Sequence, residues 1–213
     1  MIQELIYALR FEEFKSHVRM DNEYYVIDLV RCSLKRNFEI KYPNLVVSSI
    51  YDPALITGSI VHYGIAGLLK YAREKGIINW RKVEFEVDGV KRLSFDSNSN
   101  LPYIAAIKGR ADIIIVDEDD NRVGVEIKFS RNGGSLPYQH HIDQVKAYNW
   151  LFNLDYSILL YITPDRITEY TIRDRFSDEQ IADLIRKPKT PRYPWECRYC
   201  LFNILCPKYQ SSR

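Results

Sequence analysis

The sequence predicts an α/β or α+β protein in which helices flank a central sheet. Helical spacing of apolar residues dominates the first third of the chain, whereas alternating and continuous apolar runs typical of strands occupy the middle. A further helical segment, two more strand-like runs and a last helical segment follow. Helices placed before, between and after strands are expected to cover the faces of one sheet.

Three helices are expected in the N-terminal part. The first runs from residue 2 to about 19, and the second from about residue 27 to 38. The third begins after Pro53 and continues to about Lys75. Gly76 is its expected stop, because glycine is common just after the end of a helix.

The middle of the chain predicts strands. The segment VEFEVDG alternates apolar and acidic residues, as a half-buried strand does, and ADIIIVDEDDNRVGVEIKFS predicts two apolar strands joined by an acidic turn at residues 118–122. Residues 136–152 are again helical, SILLYIT and ITEYTIRD predict strands, and Ser177 is expected to open a last helix. Prolines at positions 188, 191 and 194 then end regular structure.

A length of 213 residues fits one domain with an attached terminal element. We expect an N-terminal helical segment over residues 1–52, a core over 53–187 and a C-terminal cysteine module over 188–213. The composition, 46% hydrophobic and 27% charged, is ordinary for a globular protein, and no apolar run reaches the roughly 20 residues of a membrane helix. Because the N-terminus also lacks the features of a signal peptide, we expect a soluble, cytoplasmic protein.

Basic and aromatic residues are interleaved in the C-terminal segment. From Arg186 onward, seven basic residues and five aromatic rings accompany one acid, Glu196. Basic side chains can neutralise phosphates while rings stack on unpaired bases, so this segment is a candidate for binding nucleic acid. The alternative is a solvated basic tail whose rings pack on the body of the protein. A second basic group surrounds Cys32 and consists of Arg31, Lys35, Arg36 and Lys41.

The residues with the clearest chemistry are Asp112, Glu126 and Lys128. Glu126 and Lys128 lie two apart on a predicted strand and share one face, whereas Ile127 faces the other way. A hairpin with the preceding apolar strand can bring Asp112 beside Glu126. Two such carboxylates repel each other unless a cation lies between them, which suits Mg²⁺ or Mn²⁺. A metal-bound water and a lysine are the parts that phosphodiester hydrolysis needs, and the alternative is an exposed Glu–Lys ion pair.

Two pairs of residues spaced four apart on predicted helices extend this group. Gly58 and His62 lie on the helix after Pro53, where a neutral imidazole could complete the coordination of an ion such as Mn²⁺. Gln144 and Tyr148 can face one spot, and an amide and a hydroxyl are suited to binding phosphate or positioning the lysine. Either pair alone would be unremarkable.

The ordered motifs carry a family resemblance. In order, the chain has G-x-x-x-H, G-x-x-D, E-x-K and Q-x-x-x-Y at residues 58–62, 109–112, 126–128 and 144–148. This series resembles the RecB-like PD-(D/E)xK nucleases, although Gly109, Arg110 and Ala111 rather than a proline precede the first carboxylate. The resemblance implies a restriction-endonuclease-like core with a mixed sheet and a metal held by His62, Asp112, Glu126 and the carbonyl of Ile127. It implies that the catalytic residues are Asp112, Glu126, Lys128, Gln144 and Tyr148.

Four cysteines predict a second site. Cys32 stands alone near the start, while Cys197, Cys200 and Cys206 lie near the end in a C-x2-C-x5-C pattern. Two disulfides are conceivable, but a reducing intracellular setting argues against them, and the two-residue gap is a familiar metal-ligand spacing. Such a site would clamp the C-terminal module onto the N-terminal helices. Four thiolates satisfy zinc and iron-sulfur clusters alike, so spacing leaves both open.

One distant cysteine followed by a C-terminal trio resembles the iron-sulfur RecB-like nucleases. Within that group, the short chain and its early cysteine most resemble the CRISPR-associated exonucleases of the Cas-four family. The resemblance covers almost the whole chain and implies an exonuclease on single-stranded DNA that serves spacer acquisition, and so antiviral defence, beside the adaptation integrase. It implies a 4Fe-4S cluster, with 2Fe-2S kept open. A repair or end-resection nuclease and a catalytically silent DNA-end-binding module are the alternatives.

Overall fold

The chain folds into a mixed sheet with helices on both faces. The structure is a computed structural model that describes residues 1–16, 20–94, 104–131 and 133–210. The predicted fold class is confirmed. The helices are α1 (Ile2–Ser16), α2 (Val26–Leu29), α3 (Ser33–Lys41), α4 (Pro43–Val46), α5 (Pro53–Glu74), α6 (Gln139–Leu151), α7 (Asp178–Arg186) and α8 (Pro207–Gln210). The strands are β1 (Glu23–Tyr25), β2 (Lys82–Ser94), β3 (Ile104–Val116), β4 (Arg122–Phe129), β5 (Tyr156–Ile162) and β6 (Ile167–Ile172).

The sheet has the order β1-β3-β4-β5-β6, and β2 pairs along β3. The β1–β3 and β4–β5 pairs are parallel, whereas the other pairs are antiparallel. β3 pairs with β4 only from Ile113 to Val116, while β4 stays paired with β5 as far as Phe129. The two central strands therefore separate at Asp112, one residue before their pairing begins.

Apolar layers hold helices against both faces of the sheet. On one face, α2, α6 and α7 pack together over β3, with buried contacts from Val26, Ala147, Trp150 and Ile181. On the opposite face, α5 packs over β3 and β4, with contacts among Val61, Ile65, Ile113 and Ile127. Because side chains alternate along a strand, the neighbours of Ile127 on β4 face α6.

The ends of two predicted helices are confirmed, with identifiable caps. α5 begins at Pro53, preceded by Asp52, whose carboxylate accepts a hydrogen bond from the backbone N–H of Ala54 at 2.8 Å. Gly76 follows its end with a φ of 67°, a conformation that glycine adopts readily. Ser177 and Gln180 form a reciprocal capping box at the start of α7.

Other predicted boundaries differ from the structure. The prediction of one continuous helix over residues 27–38 is wrong, because the structure has two helices there, α2 and α3, separated by Val30 to Cys32. β1 was not predicted, since three residues are too few to show alternation. The first helix ends at Ser16, and residues 17–19, predicted as its last turn, lie outside the described residues. β3 begins at Ile104, well before the predicted start.

The basic group around Cys32 serves the fold more than nucleic acid. Arg31 forms ion pairs with Asp28 at 2.6 Å and Glu39 at 2.5 Å. Arg36 is only 8% exposed, and its guanidinium donates to the backbone carbonyls of residues 20, 21 and 23. Internal carboxylates therefore bind the guanidinium of Arg31, and internal carbonyls bind that of Arg36.

No single helix within the described ranges combines the length and apolar character needed to cross a membrane. The bent pair formed by residues Pro43–Tyr51 and Pro53–Glu74 meets those two criteria only when taken together, with an angle of 67° between its halves.

Gly124 tests the tight contact between β4 and β5. A Cβ at this position would meet Ser157 Oγ and would come within 2.7 Å of Leu154 Cδ1. We expect Gly124→Ala to lower the free energy of unfolding by about 1–3 kcal/mol through overpacking. Gly64 on α5 is the control, because nothing lies within 4 Å of an added Cβ and alanine should add about 1 kcal/mol there. Urea denaturation measures both, and equal stability of Gly124→Ala and parent would contradict the packing described.

Candidate active site and cysteine cavity

The candidate active site forms where β3 and β4 separate. Asp112 Oδ2 accepts a hydrogen bond from the backbone N–H of Ile127 at 2.7 Å, in place of the ladder bond that a continuous pair of strands would make. This contact fixes the Asp112 carboxylate beside Glu126 and Lys128, the neighbours of Ile127 on β4. The predicted meeting of the G-x-x-D and E-x-K motifs is thus present in the geometry.

Glu126 is held by the lysine and glutamine of the predicted motifs. Its Oε1 lies 2.6 Å from Lys128 Nζ and accepts a hydrogen bond from Gln144 Nε2 at 2.9 Å. Gln144 Nε2 also lies 3.4 Å from the hydroxyl of Tyr148, one turn further along α6. The glutamine therefore positions the carboxylate directly and reaches the lysine only through it. Its own Oε1 is buried without a hydrogen-bond partner among the described residues.

His62 reaches the same site from α5, on the opposite face of the sheet. Its Nδ1 lies 3.3 Å from Asp112 Oδ1, so the two oxygens of Asp112 contact different elements. Burial lowers the pKa of His62, but the hydrogen bond and charge of Asp112 outweigh it and the pKa is raised overall. The six side chains predicted from the four motifs are connected by these contacts: His62, Asp112, Glu126, Lys128, Gln144 and Tyr148.

Buried charge dominates the electrostatics of the site. Glu126 is 4% exposed, and burial, reinforced by the charge of Asp112, raises its pKa to about 7 despite the opposing effect of Lys128. Burial lowers the pKa of Lys128, yet the charges of Glu126 and Asp112 prevail and raise it, so the lysine stays protonated. The one ammonium group of Lys128 therefore compensates the charges of both Glu126 and Asp112. A divalent cation would relieve the remaining repulsion between them.

The glycine of the G-x-x-D motif has a steric role. A Cβ on Gly109 would come within 2.7 Å of the Tyr148 ring and 2.8 Å of Leu151 on α6. The absence of a side chain lets α6 approach β3 closely enough for Gln144 to reach Glu126. The Tyr148 hydroxyl is buried, and burial raises its pKa far above the usual range, so it stays neutral and accepts the hydrogen bond from Gln144 Nε2.

An open cleft of about 390 Å³ leads to these residues. His62, Ile127 and Lys128 line this cleft. Arg10 and Arg110, which the motifs did not single out, line it as well. Arg10 donates to Ser59 Oγ at 2.9 Å, and its Nε is buried without a hydrogen-bond partner in the described part of the chain. No sequence signal marks Arg10, because it reaches the cleft from α1 through tertiary packing alone.

The donor chemistry of this site fits a hard divalent ion, although its side chains are paired with one another. Carboxylate oxygens of Asp112 and Glu126 and the imidazole of His62 are ligands that Mg²⁺ and Mn²⁺ accept. The unpartnered Gln144 Oε1 offers a further acceptor for a bound water. Within the described ranges, however, no three His, Cys, Asp or Glu side chains are arranged to hold an ion as they stand. Lys128 contacts Oε1 of Glu126, and His62 contacts Oδ1 of Asp112. A metal ion can bind these two oxygens only if the lysine and histidine side chains move away from them.

All four cysteines line one cavity of about 220 Å³. Cys32 enters it from the N-terminal side and the other three from the C-terminal segment, and all four are free thiols. The pKa of Cys197 is raised, first by burial and then by the charges of Cys206 and Cys200. The Cys197 sulfur therefore lies close enough to the other two sulfurs to interact with them electrostatically. The predicted gathering of cysteines from opposite ends of the chain is present, since Cys32 and Cys197 also interact electrostatically.

The cavity also suits thiolates through its neighbours. Cys32 is the N-cap of α3, although its sulfur makes no capping hydrogen bond. Burial raises the pKa of Cys32 overall, and the nearby backbone N–H groups of Leu34 and Lys35 oppose that effect. Burial and then the charge of Arg31 lower the pKa of Lys35, whereas Cys200 raises it, so this ammonium lies near the cysteine sulfurs. Helix N–H groups and a nearby cation both favour anionic sulfur.

Glu196 ties the C-terminal segment to the N-terminal helices. Its Oε1 accepts a hydrogen bond from the backbone N–H of Cys32 at 2.8 Å. Its Oε2 accepts from the backbone N–H groups of Arg192 and Tyr193 at 2.7 and 2.9 Å. The rings of Phe38 and Phe202 stack nearby, with centroids 5.5 Å apart. The single acid of the basic C-terminal segment is therefore a structural clamp.

Comparisons with known proteins place the chain among nucleases. It is 38% identical over 211 residues to the CRISPR-associated exonuclease Cas4 of Saccharolobus solfataricus, covering 97% of this chain and 98% of the relative. The crystal structure of SSO0001 superimposes with a TM-score of 0.86 at 38% identity, covering 98% of this chain and 97% of the other. No protein-family model matches the sequence.

Removing the Glu196 carboxylate tests the clamp. Glu196→Ala leaves three backbone N–H groups without their charged acceptor, each such bond contributing about 1.5–3 kcal/mol. We expect limited proteolysis to cleave residues 188–210 at least about tenfold faster than in the parent. Glu179→Ala, which removes an exposed partner of Arg186 at 3.0 Å, is the control and should leave the rate unchanged. Unchanged cleavage in Glu196→Ala would show that other contacts hold the segment.

Proposed function

The chain belongs to the family of the CRISPR-associated exonuclease Cas4, and from this premise we propose that it is a metal-dependent DNA exonuclease. It hydrolyses phosphodiester bonds and prefers single-stranded DNA. The observation that supports the proposal is the connected network of His62, Asp112, Glu126 and Lys128 at the separation of two central strands, open to a cleft. An exposed Glu–Lys pair, the alternative explanation of E-x-K, does not fit a carboxylate that is 4% exposed.

The metal would be Mn²⁺ or Mg²⁺, held by His62, Asp112, Glu126 and the backbone carbonyl of Ile127. When bound, such an ion lowers the pKa of a coordinated water and polarises a phosphoryl oxygen. The carboxylates of Asp112 and Glu126 supply its negative ligands. Because burial raises the pKa of Glu126 to about 7, this ligand must lose a proton before it can bind metal near neutral pH.

The chain's own residues orient the scissile phosphate. The raised pKa of Lys128 keeps its ammonium charged, so it can stabilise negative charge that develops on the phosphoryl oxygens. Gln144 holds Glu126 at 2.9 Å, and Tyr148 supports Gln144 from the next turn of α6. Arg10 and Arg110 also line the cleft, where each is paired with a carboxylate, Arg10 with Glu13 at 3.2 Å and Arg110 with Asp88 at 2.8 Å.

We assign the protein to CRISPR spacer acquisition, as part of antiviral defence in the cytoplasm and beside the adaptation integrase. The named function of the relative, a CRISPR-associated exonuclease, and coverage of nearly the full length of both chains support this role. An exonuclease can trim DNA ends to the length that an integrase accepts.

We also propose that the cysteine cavity holds an iron-sulfur cluster, 4Fe-4S in preference to 2Fe-2S. Four free thiols line one cavity, and a helix N-terminus and Lys35 supply the positive field that an anionic cluster requires. Cys32, Cys197, Cys200 and Cys206 would be its ligands. The cluster would add a covalent link to the clamp that Glu196 makes between the two ends of the chain.

Loss of the buried acid or the lysine should abolish cleavage. With end-labelled single-stranded DNA and Mn²⁺ or Mg²⁺, we expect Glu126→Ala and Lys128→Ala each to reduce the rate by at least about a hundredfold, because Glu126 would hold the metal and Lys128 would stabilise charge at the phosphate. Lowering the pH below about 7 should raise the metal concentration needed for half-maximal rate, since protonated Glu126 cannot bind metal.

Lys82 and Glu84 provide a matched control for this experiment. They too lie two apart on a strand and form an ion pair, 2.9 Å long, but their side chains are 60% and 41% exposed. Lys82→Ala and Glu84→Ala should therefore digest DNA like the parent. If the Glu126 and Lys128 variants do the same, the assigned site is wrong, whereas intact DNA with all proteins under saturating Mn²⁺ would favour a silent DNA-end-binding module.

A cluster should colour the protein. After anaerobic purification we expect a brown protein with visible thiolate-to-iron absorption, and loss of most of that absorption in each Cys→Ser variant. Asn203→Ala changes the cavity wall without removing a thiol and should keep the colour. Colourless protein with stoichiometric zinc would instead identify the site as a zinc centre.

A further inference from the structure

Three aromatic rings form a cluster beside the cysteine cavity, two of them stacked and the third tilted against both. Tyr193 and Trp195 lie nearly parallel, at an interplanar angle of 11° and a centroid distance of 5.8 Å. His140 of α6 packs against Trp195 at 4.8 Å and against Tyr193 at 5.7 Å. Trp195 remains 45% exposed, so much of its indole surface is available to a ligand. We refer to Tyr193, Trp195 and His140 as the ring platform.

The ring platform is held in position by hydrogen bonds that do not involve its exposed surface. The Tyr193 hydroxyl contacts Asp143 Oδ2 at 2.9 Å, which attaches the C-terminal segment to α6. The backbone N–H groups of Arg192 and Tyr193 are fixed by Glu196. A preformed aromatic surface binds with a small entropic cost, because few rotamers must be ordered when a ligand arrives.

A short path of contacts connects the ring platform to the active-site lysine. His140 lies 4.0 Å from the ring of His141, whose Nδ1 is 2.7 Å from the Tyr161 hydroxyl. Tyr161 on β5 is registered opposite Lys128 on β4, and paired residues of parallel strands point to the same face. The ring platform and Lys128 are thus on the α6 side of the sheet.

The surroundings of the ring platform are cationic and suit a polyanion with flat bases. Arg192 and Asp143 both interact with Tyr193, and Lys128, Glu196 and Asp143 act electrostatically on His140, so charges of both signs lie beside the rings. The cationic character comes from the C-terminal segment that carries Tyr193 and Trp195, with seven basic residues and one acid from Arg186 onward. Bases in a duplex are already stacked on each other, so only an unpaired base can lie on an isolated indole. These features distinguish a single strand from a duplex.

We propose that the ring platform, with Trp195 as its exposed member, stacks an unpaired base of the DNA strand whose phosphate lies at the active site. This inference rests on the proposed nuclease function and gives a physical origin for its preference for single strands. It also assigns a role to the aromatic residues of the C-terminal segment. Trp195 here is a binding residue, since it touches a base and not the reacting phosphate.

Binding in a cleavage-deficient background tests the proposal directly. In Glu126→Ala protein without divalent cations, we measure the anisotropy of a labelled oligothymidylate and of a blunt duplex. Adding Trp195→Ala should weaken single-strand binding about tenfold, the usual effect of losing one stacked base, and leave duplex binding unchanged. Trp195→Phe should retain most of the affinity, because it keeps a ring.

Two controls separate stacking from damage to the cysteine module. Tyr199 is 72% exposed in the same segment but is absent from the ring platform, and Tyr199→Ala should bind like the parent. Proteolysis of residues 188–210 should proceed equally in the Trp195 variants and the parent. Equal single-strand affinity of Trp195→Ala and parent, or equal weakening for strand and duplex, would overturn the proposal.

Hydrolysis of a small phosphodiester without a base separates this proposal from the nuclease assignment. With intact Glu126 and Mn²⁺, Trp195→Ala should hydrolyse bis(p-nitrophenyl) phosphate like the parent, because the indole does not contact the phosphate. Loss of that activity in Trp195→Ala alone would overturn the stacking role. Absence of hydrolysis in the parent would contradict the nuclease function while leaving the binding measurement to decide the role of Trp195.

Discussion

The structure of the candidate active site depends on one buried carboxylate, that of Glu126. A carboxylate taken out of water among apolar strands costs several kcal/mol unless it is paired and hydrogen-bonded. Lys128 and Gln144 satisfy its Oε1, which requires α6 to lie directly over β4. That approach in turn requires glycine at position 109, because any side chain there would collide with Tyr148. The separation of β3 from β4 completes the arrangement by letting Asp112 bond to the backbone of Ile127.

α6 connects the two sites of the protein. It carries Gln144 and Tyr148 toward the active site and His140 toward the cysteine cavity, while Asp143 bonds to Tyr193. The C-terminal segment therefore contacts the same helix that positions Glu126. This arrangement gives the cysteine module a physical means of influencing the active site, since a packed helix moves as a unit more readily than it bends.

Local patterns sufficed for the fold class and for which side chains of the candidate site lie together, because strand alternation and helical spacing fix which side chains share a face. Pro53 and Ser177 also marked helix starts correctly, since capping is a local interaction. Local patterns failed where tertiary contacts decide. Arg36 is buried against carbonyls, and Arg10 reaches the cleft from a distant helix, and neither is marked by its neighbours in sequence.

The hydrogen bond between Cys32 and Glu196 joins residues 164 positions apart. On a ribosome that adds about 5–20 residues per second, Glu196 is synthesised roughly 8–33 s after Cys32. Throughout that interval the first turn of α3 and the Cys32 thiol have no C-terminal cover in the nascent chain. Translation speed therefore sets how long this thiol is open to oxidation, an exposure that a chain refolding from its full length does not share.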